Sequence, residues 1–301
     1  MIRISVITPT FNRAAYIVSA VDSVVTQSVP AFEHIVIDGG SQDDTLSRLA
    51  RYPHLNIVSE PDRGLYDAIN KGIRRASGDV ICLLNSDDHL WPGALAAIDA
   101  AFRRDPAAMS VCGRVRMGEV ADASSDIELG TEAMQLLREV DVISGLPLTN
   151  ARVFRREVFE QVGEFDQAFP VLADRDFLGR YWLAGLKTSA IDQVLYRYGI
   201  HDYSLSFGSG TGQLKYNDEA VRLASLRLSQ SRSAHERRFY RRWLGWAVGY
   251  MLLRAVQAGE FSKAYAMSAE ARAKLWGWPL EFLVQLTQHA MTREQRRGRT
   301  V

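Results

Sequence analysis

The sequence predicts an α/β chain whose front part carries a largely parallel sheet flanked by helices and whose end is helical. Three observations predict it. Short apolar runs alternate with stretches of helical periodicity through the first hundred residues. Polar, chemistry-bearing residues come directly after those apolar runs, at the carboxyl ends of the expected strands. Residues 228–301 then turn basic and rich in tryptophan.

Residues 2–8 read as the first strand, closing on Thr8-Pro9-Thr10. Residues 14–26 read as a helix, with Tyr16, Ile17, Ala20, Val21, Val24 and Val25 at helical spacing. A second strand, 32–37, is closed by Asp38-Gly39-Gly40-Ser41, and Asp43 or Asp44 caps a helix through Tyr52. A third strand spans 55–59. The helix after it, 64–76, aligns Leu65, Ala68, Ile69, Gly72 and Ile73 on one face. Gly78 punctuates it and residues 80–84 form the fourth strand. Strands separated by helices of this length imply βαβ units and a parallel sheet.

Asn85-Ser86-Asp87-Asp88 follows that fourth strand directly. In open α/β sheets ligands bind outside the carboxyl ends of the strands. Two adjacent carboxylates there repel unless a cation joins them, and Mg²⁺ or Mn²⁺ favour carboxylate oxygens. The pattern points to a metal-held phosphate ligand. The alternative is a cap, with Asp88 or Ser86 starting a helix near Pro92. Residues 8–13, 38–41 and 85–88 bring three polar loops to one sheet edge. Gly-x-Gly-x-x-Gly is missing after the first strand and no P-loop occurs, which argues against a dinucleotide oxidoreductase and a P-loop kinase.

With 301 residues, 47% hydrophobic and 24% charged, the chain suits one large globular domain or a domain with an appendage. Cys82 and Cys112 both lie in apolar stretches and read as buried free thiols, not as a disulfide or zinc framework. The amino terminus enters a strand without a signal-peptide layout, and no run of 18 apolar residues occurs, so a cytoplasmic protein is expected. The net charge of +1 hides an asymmetry: residues 228–301 hold 13 Lys/Arg against 5 Asp/Glu, residues 1–227 hold 23 against 30. The basic end suits a membrane, a polyanion or the acidic front part.

Four linked segments carry a resemblance: Ser5-Val6-Ile7-Thr8-Pro9-Thr10-Phe11-Asn12-Arg13, Ile37-Asp38-Gly39-Gly40-Ser41-Gln42-Asp43-Asp44-Thr45, the segment 59–72 with Arg63-Gly64-Leu65-Tyr66-Asp67, and Leu84-Asn85-Ser86-Asp87-Asp88. In order and spacing they resemble family 2 glycosyltransferases of the GT-A fold, in the colanic-acid and polysaccharide-assembly branch, over residues 1–210. The resemblance implies a GT-A catalytic domain over 1–225, with a nucleotide-binding half to about 115 and an acceptor half from 116, then a basic helical region over 226–301. It implies an inverting, metal-dependent transfer (Mn²⁺ or Mg²⁺) from a nucleoside diphosphate sugar, a UDP-sugar favoured, to a hydroxyl of a glycan or lipid-linked acceptor. No nucleic-acid partner is implied. The expected location is cytoplasmic, with a peripheral position at the inner face of the membrane in view.

Carried onto this chain, the resemblance puts Thr8, Pro9, Phe11 and Arg13 around the base and ribose, and has Asp38, beside Gly39, hydrogen-bond the base. From the residues alone Asp38 is also a turn residue before Gly39-Gly40. Asp87 takes the place of the metal-binding second acid of an Asp-x-Asp motif. Asn85 stands where the first acid is usual and accepts a ribose hydroxyl without adding charge. Ser86 belongs to the same nucleotide-sugar set, and Asp88 supports the metal through water. Arg63 reaches the diphosphate and Asp67 a sugar hydroxyl, although an acid in a first helical turn is also ordinary helix-start chemistry.

In the second half, Leu172-Ala173-Asp174-Arg175-Asp176 resembles the family's Glu-Asp motif, with Ala173 in place of Glu. Asp174 then matches the general base, which an inverting transfer needs opposite the leaving diphosphate. The residues alone also allow an N-cap there. Thr149, Asn150 and Asp176 are assigned to the acceptor pocket, although Asp176 points elsewhere than Asp174 on a helix. The stretch 196–206 resembles a loop that closes over the diphosphate, with His201 on metal or phosphate, and Gly208, Gly210 and Gly212 suggest a lid. In the tail, residues 239–256 read as a helix too short in its apolar run to span a bilayer. It either lies at a membrane surface, with Arg237, Arg238, Arg241 and Arg242 towards anionic lipid, or packs as a helical hairpin through Gly245 and Gly249. Two other functions fit the same residues: nucleotidyl transfer, and a nucleotide-sugar-binding regulatory domain weakened by Asn85 and Ala173.

Overall fold

A computed structural model of the chain describes residues 1–120, 124, 126–200, 211–257, 259, 262 and 279. It divides into two compact units, one of residues 1–137 and 147–207, the other of residues 138–146 and 208–301.

The first unit is a mixed sheet with flanking helices. Its opening half follows the alternation in the sequence: β1 (Ile4–Thr10), α1 (Ile17–Val25), β2 (Glu33–Asp38), α2 (Thr45–Leu49), β3 (Leu55–Ser59), α3 (Leu65–Arg75) and β4 (Val80–Leu83). These four strands are parallel, in the order β3-β2-β1-β4. The chain reverses direction across the sheet between β1 and β4, and such a switch point opens a ligand crevice at the carboxyl ends. Every residue of β1 is buried, because helices cover both faces of this part of the sheet. Gly72 lets α3 lie directly on β1: a Cβ there would collide with the Ile7 side chain. Asp43, not Asp44, closes the start of α2, its Oδ1 accepting the Thr45 N–H at 3.0 Å.

The second half is not parallel. After β5 (His89–Leu90) and α4 (Ala94–Arg104) come β6 (Ser110–Glu119), β7 (Ile127–Leu129), α5 (Glu132–Gln135), β8 (Arg152–Arg155), α7 (Glu157–Val162), α8 (Ala173–Leu183) and β9 (Thr188–Ile200). Strand β8 runs antiparallel to β4 and to β6, β9 parallel to β6, and β5 antiparallel to β9. Helix α4 starts at Ala94 after Gly93, so neither Ser86 nor Asp88 caps it. An aromatic cluster seats α7 and α8 on the sheet: Phe154, fully buried, lies 5.2 Å from Phe177 and 5.7 Å from Tyr181 between ring centroids. Phe177 in turn lies 4.7 Å from Phe165. Cys82 and Cys112 are buried free thiols, and burial pushes the Cys82 thiol up to about 12.

The second unit contains α6 (Glu139–Ile143), α9 (Thr211–Gln230) and α10 (Ala234–Gln257). Residue 225, the expected domain boundary, falls inside continuous α9, and the division comes before that helix instead. Gly212 sits in the first turn of α9, while Gly208 and Gly210 lie outside the described residues. Trp243 is 1% exposed and stacks on Tyr240, and Gly245 and Gly249 are buried along α10, which packs on α9. Arg242 is tied to Glu139 of α6 at 2.9 Å. Among the described residues no helix is long and apolar enough to cross a membrane.

Candidate active site

The loops after β1 and β2 are stapled together. Asn12 adopts a left-handed conformation (φ 51°), its Oδ1 accepts the Gln42 N–H and its own N–H donates to Ser41 Oγ, both at 2.8 Å. Arg13 N–H donates to Thr45 Oγ1 at 2.9 Å, and Gly39 N–H to the Thr10 carbonyl at 2.9 Å. Phe11 stands out from this edge, 53% exposed, beside half-buried Arg13.

Thr8 and Pro9 do not line this edge. Both are buried within β1, and Thr8 Oγ1 shares a hydrogen bond with His34 Nε2 at 2.9 Å. Burial, with the nearby His54 charge, pushes the His34 imidazole down to about 3. Asp38 also departs from its expected role. It is fully buried, and its carboxylate accepts from Ser59 Oγ at 2.6 Å, from the Gly40 and Ser41 N–H groups and from the Ser41 hydroxyl. It holds the turn, the alternative the residues left open. The half-buried Asp62 carboxylate instead occupies the space that a side chain at Gly39 would fill. Its Oδ1 accepts the Gly64 N–H at 2.8 Å.

At the end of β4, Asp87 is partly exposed and Ser86 buried. Asp88 is not placed as a cation ligand. It is 1% exposed, with Tyr196 Oη donating to Oδ2 at 2.6 Å, Asn85 Nδ2 to the same oxygen at 3.0 Å, and Gly199 N–H to Oδ1 at 2.8 Å. Burial and the neighbouring Asp87 charge push the Asp88 carboxyl up to about 7. Tyr196 and Gly199 belong to β9, so residues 196–200 are strand, not a closing loop. A Cβ at Gly199 would come within 2.6 Å of the Asp87 carbonyl oxygen, which explains glycine where β9 passes this loop. His201 lies outside the described residues.

At the start of α3, Arg63 extends outward with its side chain 78% exposed. Asp67, whose side chain is only 7% exposed, accepts the Arg63 N–H at 3.0 Å and Gln167 Nε2 at 3.0 Å, with Lys71 Nζ at 3.8 Å. Burial raises its carboxyl, but the Arg63 hydrogen bonds and the Arg63 and Lys71 charges outweigh that and leave it below its ordinary value. Asp67 anchors Arg63 more than it presents an open acceptor to a sugar.

Asp174 lies in the first turn of α8 and is partly accessible. Three donors hold it: its own neighbour Arg175 N–H on Oδ1 at 2.7 Å, Thr149 Oγ1 on Oδ2 at 3.2 Å, and the Tyr66 hydroxyl. Burial raises its carboxyl above the ordinary value, against the Arg175 charge and these hydrogen bonds. Thr149 follows Leu148, a non-glycine residue in the left-handed region (φ 51°), a kind of strain found at functional sites. Asn150 is partly exposed beside it. Asp176 has no part in an acceptor pocket: it is fully buried and paired with Arg180 at 2.9 Å. The structure thus joins Asp174, Thr149, Tyr66 and the Arg63–Asp67 turn, and takes Thr8, Asp38, Asp88 and Asp176 away into supporting roles. Tyr66, Asp62, Gln167 and Tyr196 were missed as site residues. Tyr66 and Asp62 sit inside the quoted segment 59–72, but nothing in the sequence pairs them with their distant partners.

The sequence and the fold both have counterparts among known proteins. The family model described as glycosyl transferase family 2 matches residues 5–163. The chain belongs to glycosyl transferase family 2. A PGL/p-HBAD biosynthesis glycosyltransferase of Mycobacterium bovis is 31% identical over 182 residues, covering 58% of this chain and 67% of that protein. Among solved structures, Staphylococcus aureus TarS residues 1–349 in complex with UDP aligns with TM-score 0.59 at 17% identity, over 81% of this chain and 70% of that one. The mannosyltransferase PcManGT of Pyrobaculum calidifontis, in complex with GDP-Man and Mn²⁺, aligns with TM-score 0.57 at 19% identity, over 95% and 84%. The chain spans 43% of the longer TarS chain it also matches. The GT-A fold expected from the resemblance is the fold found.

Proposed function

We propose that this glycosyltransferase carries out an inverting transfer of a sugar from a nucleoside diphosphate donor to an acceptor hydroxyl, with Asp174 as general base. The observation that carries it is the Asp174 carboxyl, raised by burial and held by three donors while still partly accessible. A base of that kind accepts the acceptor's proton as the hydroxyl attacks the anomeric carbon. Arg63, extended and anchored by Asp67, offers its guanidinium to the diphosphate. Phe11, Arg13 and Asn85 lie around the nucleotide, and Asp62, in the space over Gly39, supplies the carboxylate for the base edge that Asp38 does not.

The residues present accommodate a divalent cation sparingly. Among the described residues no three His, Cys, Asp or Glu side chains converge, and Asp88 is committed to Tyr196 and Gly199. Asp87 is partly exposed at the end of β4, and a single carboxylate with substrate phosphates is an ordinary Mg²⁺ arrangement. Asp87 is therefore the residue that would hold Mn²⁺ or Mg²⁺, which when bound neutralises charge on the leaving diphosphate. Support for a nucleotide donor comes from TarS and PcManGT, whose complexes hold UDP and GDP-Man. The acceptor is proposed as a glycan or lipid-linked hydroxyl in cell-surface polysaccharide or glycolipid assembly, in line with the mycobacterial relative's name. Exposed Arg237, Arg238 and Arg241 on α10 are the residues that would meet an anionic membrane face; Trp243 and Arg242 are engaged inside their own unit.

The test is thermal shift and turnover across a panel of UDP-, GDP- and dTDP-sugars with Mn²⁺, since a ligand that binds only the folded state raises Tm. One donor should stabilise the wild type and turn over, and Asp87→Asn should lose the metal-dependent part of both. No stabilisation by any of the panel, or full activity of Asp87→Asn, rejects the assignment.

A further inference from the structure

The donor-side helix α3 reaches the proposed base through one side chain. Tyr66 lies in the first turn of α3, between Leu65 and the Asp67 that anchors Arg63. Its hydroxyl donates to Asp174 at the start of α8, 108 positions further along the chain. Its ring stacks on Phe165, with centroids 5.5 Å apart and planes at 27°. Two more ties hold the same face of α3 to the same segment. Gln167 Nε2 donates to Asp67, and Asn70 exchanges two hydrogen bonds with the Phe165 backbone, at 2.8 and 3.1 Å. Three successive features of α3 thus register against residues 165–174. Only one of them touches the carboxylate.

We infer that Tyr66 is a positioning residue that aims the Asp174 carboxylate and ties it to the Arg63–Asp67 turn on the donor side. The inference rests on the reading of Asp174 as base and adds to it the group that orients that base. Physically, Oδ1 of Asp174 is engaged by the adjacent Arg175 N–H and Oδ2 by Thr149. Both of those donors belong to the acceptor half. Tyr66 is the donor that comes from the helix that follows Arg63 directly, so the orientation of the carboxylate is referenced to the place proposed to hold the leaving group. Small displacements of a reacting group lower rates steeply, which is why such a link matters. The ring's stacking on Phe165 limits the hydroxyl to a narrow arc, and a two-χ side chain loses little entropy in holding it.

The test uses Tyr66→Phe in the full chain, which keeps the ring stacking and removes only the hydroxyl. Carboxyl-¹³C aspartate labelling follows the titration of Asp174, its resonance identified by its loss in Asp174→Asn. A hydrogen bond to the charged form favours that form. The Asp174 midpoint in Tyr66→Phe should therefore move to higher pH than in the wild type, with Tm nearly unchanged. With the donor found active in the panel, kcat should fall about tenfold while the donor KM stays, as expected for one lost hydrogen bond to a charged group. Thr149→Val should move the midpoint in the same direction. An unmoved Asp174 midpoint in Tyr66→Phe overturns the inference. Failure of the underlying reading looks different: Asp174→Asn would then retain turnover, whatever the Tyr66 titration does.

Discussion

The two halves of the sheet in the first unit hold their site residues by different means. In the parallel half, β1 to β4, much of the loop holding is short-range or between adjacent βα units: Asp38 by Gly40 and Ser41, Asp67 by Arg63, Asn12 by the next βα loop, with Ser59 and Gln167 adding longer ties to Asp38 and Asp67. In the mixed half, β5 to β9, the ties are long. Tyr196 reaches Asp88 across 108 residues, and buried Arg152 donates to the Gln135 carbonyl at 2.9 Å and the Pro147 carbonyl at 3.4 Å. The difference teaches that the loops at the parallel edge are shaped largely by short-range chain geometry, whereas the carboxyl proposed as base is positioned mainly by tertiary packing. Mutations should therefore separate binding from turnover.

The sharpest cut is Asp174→Asn. It keeps the size and one acceptor oxygen and removes the proton acceptor. Turnover should drop by about 10²-fold or more, with donor affinity by calorimetry close to wild type. Loss of donor affinity with kcat retained would erase the division between the halves. Next is Phe154→Ala, which empties the centre of the aromatic cluster under α7 and α8. It should cost roughly 3–5 kcal/mol in urea unfolding. A cost below 1 kcal/mol would mean the mixed half does not depend on that packing.

Asp38→Ala and Asp62→Ala compare a loop-holding carboxylate with the one proposed for the base edge. Asp38→Ala leaves several buried donors unpaired and should lower stability by about 1–3 kcal/mol. Asp62→Ala should leave Tm nearly unchanged and weaken nucleoside diphosphate binding about tenfold, near 1.4 kcal/mol. If the two variants exchange these effects, the base-facing group is Asp38 after all. The smallest effect at neutral pH belongs to His34. Its folded-state value near 3 lies below the 6.5 of the unfolded chain, so below pH 6.5 the unfolded state binds the extra proton. Its contribution to stability is full above 6.5 and is lost as pH falls towards 3, by up to about 1.4 kcal/mol per unit. His34→Gln should flatten the acid limb of Tm against pH. An unchanged limb would place the acid sensitivity elsewhere.

Residues 1–84 were legible because each strand and helix there announces itself by periodicity and by turn residues at fixed offsets. The loop positions were legible too, since Phe11, Arg13 and Asp87 follow strand ends and Arg63 leads into α3. Four candidates share one feature the sequence does not give, which is burial. Thr8, Asp38, Asp88 and Asp176 have the right chemistry at the right positions, but whether a carboxylate faces a cleft or a buried donor depends on what packs against it. Asp88 meets Tyr196 and Gly199 only because β9 returns beside the β4 loop, a pairing that no spacing encodes. A change in charge is not a break in a helix either: residue 225, where the charge turns, lies inside α9.

What the sequence by itself determined is the parallel βαβ frame, the polar edge at its strand ends and, through four spaced segments, the family. Those are properties of local periodicity and of short-range turn chemistry, which act within a few residues. Tertiary structure alone decided which acids face solvent and which are spent on the fold, that the second half of the sheet is mixed, and that Asp174 is held from both Thr149 and Tyr66. The reason is physical: burial and hydrogen-bond partners set the state of a carboxyl, and for Asp88 and Asp174 partners such as Tyr196, Thr149 and Tyr66 come from residues 25 to 108 positions away.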